Sequence, residues 1–232
     1  MWVYFKASWL TDSDLSDDVR AGQDVYSPRV LRTYDLLVLG FSNRFIWKCP
    51  TKRLLALYSE NVSGDHLDVG VGTGYFLDRC TFPAATPRIA LLDLNANCLQ
   101  QTAQRIERYR PEIVQANLLQ PISYDGERFS SIGMNYVLHC LPGDLNAKAA
   151  AFDHLQHLLK PGGVIFGSTL LAHGVRRGFA ARRLMALYNR KRIFSNADDS
   201  LDELQRVLTD RFANVEIEVV GCAAIFSARQ RG

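Results

Sequence analysis

Between residues 60 and 170, short and mostly apolar runs alternate with longer stretches in which apolar residues recur at helical spacing. The short runs predict buried strands at 66–69, 88–92, 112–116, 130–138 and 164–171. The helical spacing predicts helices at 75–80, 95–109 and 145–159, the last one stopped by Pro161-Gly162-Gly163. This alternation predicts an α/β fold with a doubly wound, mostly parallel sheet that is covered by helices on both faces.

The residues before the first strand follow a different pattern. Residues 1–25 show no clear period and are rich in polar side chains, which predicts a loose N-terminal arm. Helical spacing then predicts a helix at 28–39, with Gly40 as its stop, and a second helical stretch at 45–58 that Pro50 interrupts. We therefore expect the sheet to carry N-terminal cap helices.

The residues after the fifth predicted strand complete the sheet. A helix-rich stretch at 175–210 is followed by strands at 214–220 and 223–228, which are so close in sequence that they can only pair antiparallel. The sheet should therefore have seven strands and end in an antiparallel hairpin. The expected division is a single domain over 26–232, with a helical cap at 26–60, an α/β core at 61–170, a helical insertion at 171–212 and the hairpin at 213–232.

Composition narrows the class of protein without naming a function. The chain has 232 residues, of which 47% are hydrophobic, and a net charge of +3. No apolar run reaches the roughly 18 residues that a membrane-spanning helix needs, and the N-terminus does not have the order of a signal peptide. The five cysteines form no C-x-x-C pair and suggest neither a disulfide framework nor a zinc site. We expect a cytoplasmic protein.

Candidate chemistry lies at the ends of the first two predicted strands. The run Asp68–Gly74 follows the first strand and contains glycines at 70, 72 and 74, which permit a sharp turn and a close approach of a ligand to the backbone. Asp93 ends the second strand, 19 residues beyond Gly74, and is suited to accept hydrogen bonds from two ribose hydroxyls. A dinucleotide-binding loop would place a third glycine where this chain has Tyr75. Both features lie at the carboxyl ends of predicted parallel strands, which is where an open parallel sheet binds its ligands.

The run Asp68–Gly74, together with Asp93, Asn117 and the segments 129–142 and 159–163, resembles the motifs of class I S-adenosylmethionine-dependent methyltransferases, in the same order and over roughly residues 60–170. The resemblance implies a Rossmann-like fold, methyl transfer and S-adenosyl-L-methionine as the cofactor. It also implies contacts for ten residues: Asp68 near the methionine part, Gly70, Gly72 and Gly74 along the backbone path, Asp93 on the ribose diol, Leu94 on adenine, Asn117 with Leu118 beside the adenine amine, and Asn135 and Leu138 beside the sulfonium.

Two differences from related methyltransferases narrow the class of enzyme further. Enzymes that methylate DNA amino groups carry an Asn/Asp-Pro-Pro-Tyr/Phe motif after the fourth strand, whereas this chain has Asn135-Tyr136-Val137-Leu138. Catechol-type members need a carboxylate cluster that binds a divalent metal, and Met134–Cys140 contains no carboxylate. We therefore expect a metal-independent enzyme, with no metal site.

The acceptor side is predicted from residues around the fourth strand and outside the α/β core. His139 is the candidate catalytic base, since it follows the fourth strand and a base can remove a proton from the acceptor. The next residue, Cys140, is expected to pack. The cap and the helical insertion should close a pocket for a small-molecule acceptor with the aromatic residues Tyr26, Tyr34, Trp47, Tyr188 and Phe194.

The sequence is also compatible with other functions. Seven cations at 176–192 could hold RNA phosphates or a protein substrate, or could form the solvated face of an amphipathic helix. A cofactor-binding homologue that does not methylate, with a pericyclic reaction or a regulatory role, is a further alternative. We favour a small-molecule methyltransferase of specialised metabolism, do not expect a nucleic-acid partner, and expect a monomer or a homodimer.

Overall fold

The computed structural model describes residues 35–231. The predicted arm, most of the first predicted helix, and the predicted acceptor residues Tyr26 and Tyr34 lie outside this range. A π-helix at Asp35–Ile46 opens the described part, so Gly40 lies within a helix and does not end one. Pro50 does separate this helix from the next one, since it lies directly before Thr51–Asn61.

A seven-stranded sheet forms the centre of the fold. The strands are β1 Asp65–Val69, β2 Arg88–Asp93, β3 Glu112–Gln115, β4 Phe129–Asn135, β5 Leu159–Leu170, β6 Ala213–Val220 and β7 Ala223–Arg229. Their order in the sheet is β3-β2-β1-β4-β5-β7-β6. The pairs β2–β3, β1–β2, β1–β4 and β4–β5 are parallel, whereas β7 pairs antiparallel with both β5 and β6. This confirms the predicted mostly parallel sheet with its C-terminal antiparallel hairpin.

Helices cover both faces of the sheet. The α-helices are α1 Thr51–Asn61, α2 Tyr75–Arg79, α3 Ala96–Arg105, α4 Leu145–Gln156, α5 Phe179–Arg190 and α6 Leu201–Arg211, and two 3₁₀ turns lie at Glu107–Tyr109 and Leu138–Cys140. Several begin at side-chain caps. The Asn95 side chain accepts hydrogen bonds from two backbone N–H groups of α3, and Asp144 accepts one from α4, which satisfies donors that a helix start leaves open.

The two faces bury separate hydrophobic cores. One core contains residues of α1, α2, α3 and α5, and the other contains residues of α4 and α6. Successive residues of a buried strand point alternately into the two cores. In β2, Leu91 lies in the first core and Leu92 in the second. In β5, Phe166 lies in the first core and Ile165 in the second. Burial on both faces explains why these strands are continuously apolar rather than alternating.

Two predicted boundaries around β4 and β5 were wrong. The helix predicted at 145–159 ends at Gln156, and Leu159 already belongs to β5, where it pairs with Phe129 ahead of a register shift. The sequence Pro161-Gly162-Gly163 therefore lies within a strand. β4 ends at Asn135 and not at 138, because Tyr136 has a φ of 58° and turns the chain away from the sheet.

Candidate active site

The glycine loop after β1 has a backbone conformation that residues with a side chain rarely adopt. Gly70, Gly72 and Gly74 all have positive φ, at 64°, 53° and 72°. A Cβ on Gly70 would lie 2.4 Å from Cγ2 of Val137, whereas a Cβ on Gly72 would meet no atom within 4 Å. The Gly70 N–H donates to the Leu92 carbonyl at 2.8 Å, which ties the loop to the end of β2. The loop therefore presents its backbone to open space at Gly72.

A cavity opens over the carboxyl ends of β1, β2 and β4, where the topology of a parallel sheet places ligands. Nine of the ten predicted cofactor residues line it: Asp68, Gly70, Gly72, Gly74, Asp93, Leu94, Asn117, Leu118 and Asn135. The tenth, Leu138, is not in the lining. It is fully buried in the core beneath α4 and α6, because the turn at Tyr136 directs it inward.

Asp93 is oriented by the backbone around it. The Asn95 N–H donates to Asp93 Oδ1 at 2.8 Å, and N–H groups of Val71, Gly72 and Leu94 contribute further hydrogen bonds. Burial outweighs these bonds and raises the pKa of Asp93 to about 6. The carboxyl group is thus fixed in place, and its pKa lies only slightly below neutral pH.

Asn117 follows β3 and lines the cavity from the edge of the sheet. Its Oδ1 accepts from the Leu119 N–H at 3.0 Å, and its carbonyl accepts from the Gln120 N–H at 3.0 Å. These bonds fix a turn after β3. The amide oxygen that was expected to accept from an adenine amine already has one partner, and a second lone pair remains.

Asp68 has a partner that the sequence did not reveal. The Tyr58 hydroxyl, on α1, donates to Asp68 Oδ1 at 2.5 Å, and both residues line the cavity. The Nε2 atom of His66 lies 3.5 Å from the same oxygen. Tyr58 falls on the apolar face of a helix, ten residues before Asp68, so nothing in the sequence distinguishes it from an ordinary core aromatic residue.

Asn135, at the end of β4, lines the cavity and carries a side-chain donor without a partner among residues 35–231. Ser168 Oγ donates to Asn135 Oδ1 at 2.8 Å and fixes the side-chain amide. The Nδ2 atom is buried and has no hydrogen-bond partner within residues 35–231. A buried donor without a partner costs free energy, so this atom fits the presence of a polar ligand.

The structure does not support the base role that the sequence predicted for His139. Its side chain is buried, does not line the cavity, and packs edge-on against Phe194 with ring centroids 4.5 Å apart. Burial and the Lys148 cation lower the pKa of His139 to about 3, and its Nδ1 accepts from the Leu170 N–H at 3.3 Å. The imidazole is therefore neutral and faces the interior.

The three predicted acceptor residues within the described range form a cluster behind the cavity. Trp47, Tyr188 and Phe194 pack together, with centroid distances of 6.1 Å from Phe194 to Trp47 and 4.9 Å from Phe194 to Tyr188, and none lines the cavity. Trp47 and Phe194 belong to the hydrophobic core, and the partly buried Tyr188 packs against it. Aromatic residues at helical spacing pack in a core as readily as they line a pocket, so the pattern could not separate the two.

A different set of side chains closes the cavity on that side. Tyr136 lines it at the turn of positive φ that ends β4, and Cys140 follows on the 3₁₀ turn. Further apolar residues that line the cavity are Leu39 of the π-helix, Tyr75 and Phe76 of α2, and Leu141 and Pro142.

The basic segment 176–192 lies largely on α5, away from the cavity. Ala181 and Met185 are buried, whereas Arg182, Arg183 and Arg190 are exposed, so the helix is amphipathic with a basic outer face. Across residues 35–231 no three His, Cys, Asp or Glu side chains are grouped to hold a metal ion. No helix in that range has the length and apolar character needed to cross a membrane.

The fold and the cavity define a Rossmann-like enzyme with a site for a nucleoside-containing cofactor, and comparison with known proteins places it further. A family model described as "Methyltransferase domain" matches residues 44–210, so the chain belongs to that family. It is a class I, S-adenosylmethionine-dependent methyltransferase, and S-adenosyl-L-methionine is its cofactor. Three features of the site fit this ligand: the open backbone at Gly72, the hydrogen-bond acceptor on Asp93 and the unpaired hydrogen-bond donor on Asn135.

Relatives and solved structures agree with this assignment. The chain is 38% identical over 218 residues to demethylluteothin O-methyltransferase of Streptomyces thioluteus, covering 94% of this chain and 95% of that protein. It is also 38% identical to N-methyltransferase vrtF of Penicillium aethiopicum, covering 94% of each. The fold is similar to that of N-methyltransferase NodS from Bradyrhizobium japonicum WM9 in complex with S-adenosyl-L-homocysteine, with a TM-score of 0.60 at 15% identity over 88% of this chain and 98% of that one.

Proposed function

We propose that the enzyme transfers a methyl group to a small-molecule acceptor in specialised metabolism, without a metal ion and in the cytoplasm. The observation that carries this proposal is that the glycine loop, Asp93, Asn135 and several aromatic residues line one and the same cavity. The two relatives with 38% identity, named as an O-methyltransferase and an N-methyltransferase, support a small acceptor with an oxygen or a nitrogen nucleophile.

The proposed cofactor placement follows the chemistry of the lining. Asp93 accepts from the ribose hydroxyls, Leu94 and Leu118 pack on adenine with Asn117 beside its amine, and Asp68 holds the amino group of the methionine part. Gly70, Gly72 and Gly74 leave room along the cofactor. Asn135 donates its open N–H to a polar atom near the reacting end.

We place the acceptor against Tyr136, Cys140 and Phe76, in place of the aromatic set that the sequence predicted. S-adenosyl-L-methionine, when bound, supplies an electrophilic methyl group on a sulfonium. The aromatic faces stabilise positive charge and exclude water, and the enclosed wall orients the acceptor for in-line transfer. We assign His139 the role of supporting this wall through its contacts with Phe194 and with Tyr136, whose ring centroid is 5.5 Å away.

Transfer of a labelled methyl group tests the proposal. The purified chain is incubated with methyl-labelled S-adenosylmethionine and three acceptor sets: hydroxylated aromatic and enolic small molecules, small amines, and RNA or protein. We expect label in a small molecule, and the same reaction with Asp93→Ala should show none. Label in RNA or protein alone would overturn the small-molecule assignment in favour of a role for the basic segment. Binding of the cofactor without label in any acceptor would favour the non-methylating alternative.

A further inference from the structure

The carboxylate of Asp68 is approached from two sides at one of its oxygens only. The Tyr58 hydroxyl donates to Oδ1 at 2.5 Å, and the Nε2 atom of His66 lies 3.5 Å from that same oxygen. Within residues 35–231, no group donates a hydrogen bond to Oδ2. Since Asp68 lines the cavity, Oδ2 is the oxygen left for a ligand.

The position of the Tyr58 hydroxyl is set by the packing of its ring. The ring stacks on Phe76, with centroids 5.0 Å apart and an interplanar angle of 14°, and it meets Phe166 edge-on, also at 5.0 Å. Burial and the neighbouring Asp68 raise the pKa of Tyr58 well above its usual value, so the phenol keeps its proton and donates a hydrogen bond to the carboxylate. The donor is thus held by two aromatic contacts from different elements.

His66 is fixed on the far side of the same oxygen. Its ring is fully buried, its Nδ1 lies 2.8 Å from Ser131 Oγ on the neighbouring strand β4, and it stacks on Phe166 at 5.8 Å. With Nδ1 engaged by Ser131, Nε2 lies 3.5 Å from Asp68 Oδ1 but makes no hydrogen bond to it. Tyr58 therefore supplies the one strong contact that orients the carboxylate.

We propose that Tyr58 is a positioning residue for the cofactor: its hydroxyl holds Oδ1 of Asp68 so that Oδ2 faces the amino group of the methionine part. This inference rests on the proposed function, in which Asp68 binds that amino group. A carboxylate held at one oxygen presents the other in a fixed direction, and it loses less conformational freedom when the ligand binds. Tyr58 itself need not touch the cofactor.

A double-mutant cycle on binding of S-adenosylhomocysteine separates this role from simple packing. Titration calorimetry compares wild type, Tyr58→Phe, Asp68→Asn and the double variant. We expect Tyr58→Phe to weaken binding about tenfold in the wild-type background, because it removes a hydrogen bond to a charged group. In the Asp68→Asn background the same substitution should weaken binding less than about twofold. For a variant too weak for calorimetry, the rise in Tm at a fixed high concentration of S-adenosylhomocysteine gives the same comparison.

The matched control is Tyr124→Phe. Tyr124 also donates to a carboxylate, Glu112 Oε2 at 2.7 Å, but lies outside the cavity, so its loss should change binding by less than about twofold. Urea unfolding checks that every variant is folded. The inference is overturned if Tyr58→Phe binds as tightly as wild type, or if it weakens binding by the same factor with and without Asp68. Failure of the wild type to bind would instead overturn the proposed function.

Discussion

Lys148 and Asp199 form an ion pair that is almost completely buried. The Lys148 Nζ lies 2.9 Å and 2.6 Å from the two carboxylate oxygens of Asp199, and the exposed fractions of the side chains are 0% and 1%. Lys148 belongs to α4, and Asp199 lies just ahead of α6. The Lys148 ammonium also donates to the Ser195 carbonyl, so the pair fixes the segment that carries Phe194 against the core.

Breaking this pair should cost far more than breaking a surface pair. We expect Asp199→Asn to lower the free energy of unfolding by about 3 kcal/mol, because it leaves a buried ammonium without its counter-ion. Asp153→Asn, which removes the partly exposed pair with Arg211, should cost less than about 1 kcal/mol. Urea denaturation measures both, and equal losses would show that the buried pair has no special role. The double variant Lys148→Met/Asp199→Leu should recover most of the loss.

Gly70 should tolerate no side chain. In Gly70→Ala the new Cβ would meet Val137 Cγ2 at 2.4 Å, and the φ of 64° adds strain of about 1 kcal/mol or more. We expect affinity for S-adenosylhomocysteine to fall at least about tenfold, because the loop must shift. Gly178→Ala is the control, since a Cβ on Gly178 would meet no atom within 4 Å and its φ is negative. Equal affinities of the two variants in calorimetry would show that the loop accepts a side chain at Gly70.

The pKa of Asp93 predicts how cofactor affinity depends on pH. Burial raises this pKa to about 6, so the empty site takes up a proton as the pH falls through 6. The ribose hydroxyls need an acceptor, so binding should displace that proton. Affinity for S-adenosylhomocysteine should therefore be constant above about pH 7 and fall by up to about tenfold per pH unit below about 6. Asp93→Asn should bind more weakly than wild type near neutral pH, with no change on acidification.

Calorimetry at about pH 7.5 and about pH 5, on either side of this pKa, provides the test. A wild-type affinity that is the same at both values would show that Asp93 is not the group that accepts from the ribose. A fall that persists in Asp93→Asn would assign the pH dependence to another residue or to the ligand.

His139→Asn distinguishes a supporting role from base catalysis. An Asn side-chain oxygen can accept from the Leu170 N–H as the imidazole does, but an amide cannot remove a proton. With an acceptor found in the labelled-methyl assay, we expect kcat to fall less than about tenfold. A general base is typically worth about 10²–10⁴-fold, so a loss of about 100-fold or more would restore the role that the sequence predicted.

Nine of the ten residues that the sequence predicted for the cofactor line one cavity, whereas none of the described residues predicted for the acceptor lines it. The position of Asp68, the three glycines and Asp93 could be predicted because it depends on local features, namely a turn after a strand and an acid at a strand end. Their convergence on one cavity follows from the parallel sheet alone. Tyr58 was missed because its contact with Asp68 depends on how α1 packs on β1, which a helical pattern does not specify.

Prediction of the residues that line the acceptor side of the cavity requires the direction in which each buried aromatic ring faces. Trp47 and Phe194 were predicted to line the pocket, yet they pack with His139 behind it, while Tyr136 lines it because of a single positive φ. A non-glycine residue with positive φ has no reliable sequence signal. The same turn explains why Leu138 is buried in the core and not beside the cofactor.

Titration of the full-length chain with S-adenosylhomocysteine asks whether the cavity over β1, β2 and β4 is the cofactor site. We expect saturable one-to-one binding to the wild type, and a large loss of affinity in Asp93→Ala at unchanged thermal stability of the free protein. Absence of binding to a wild-type sample that unfolds cooperatively, or binding that Asp93→Ala leaves unchanged, would contradict the assignment of this site.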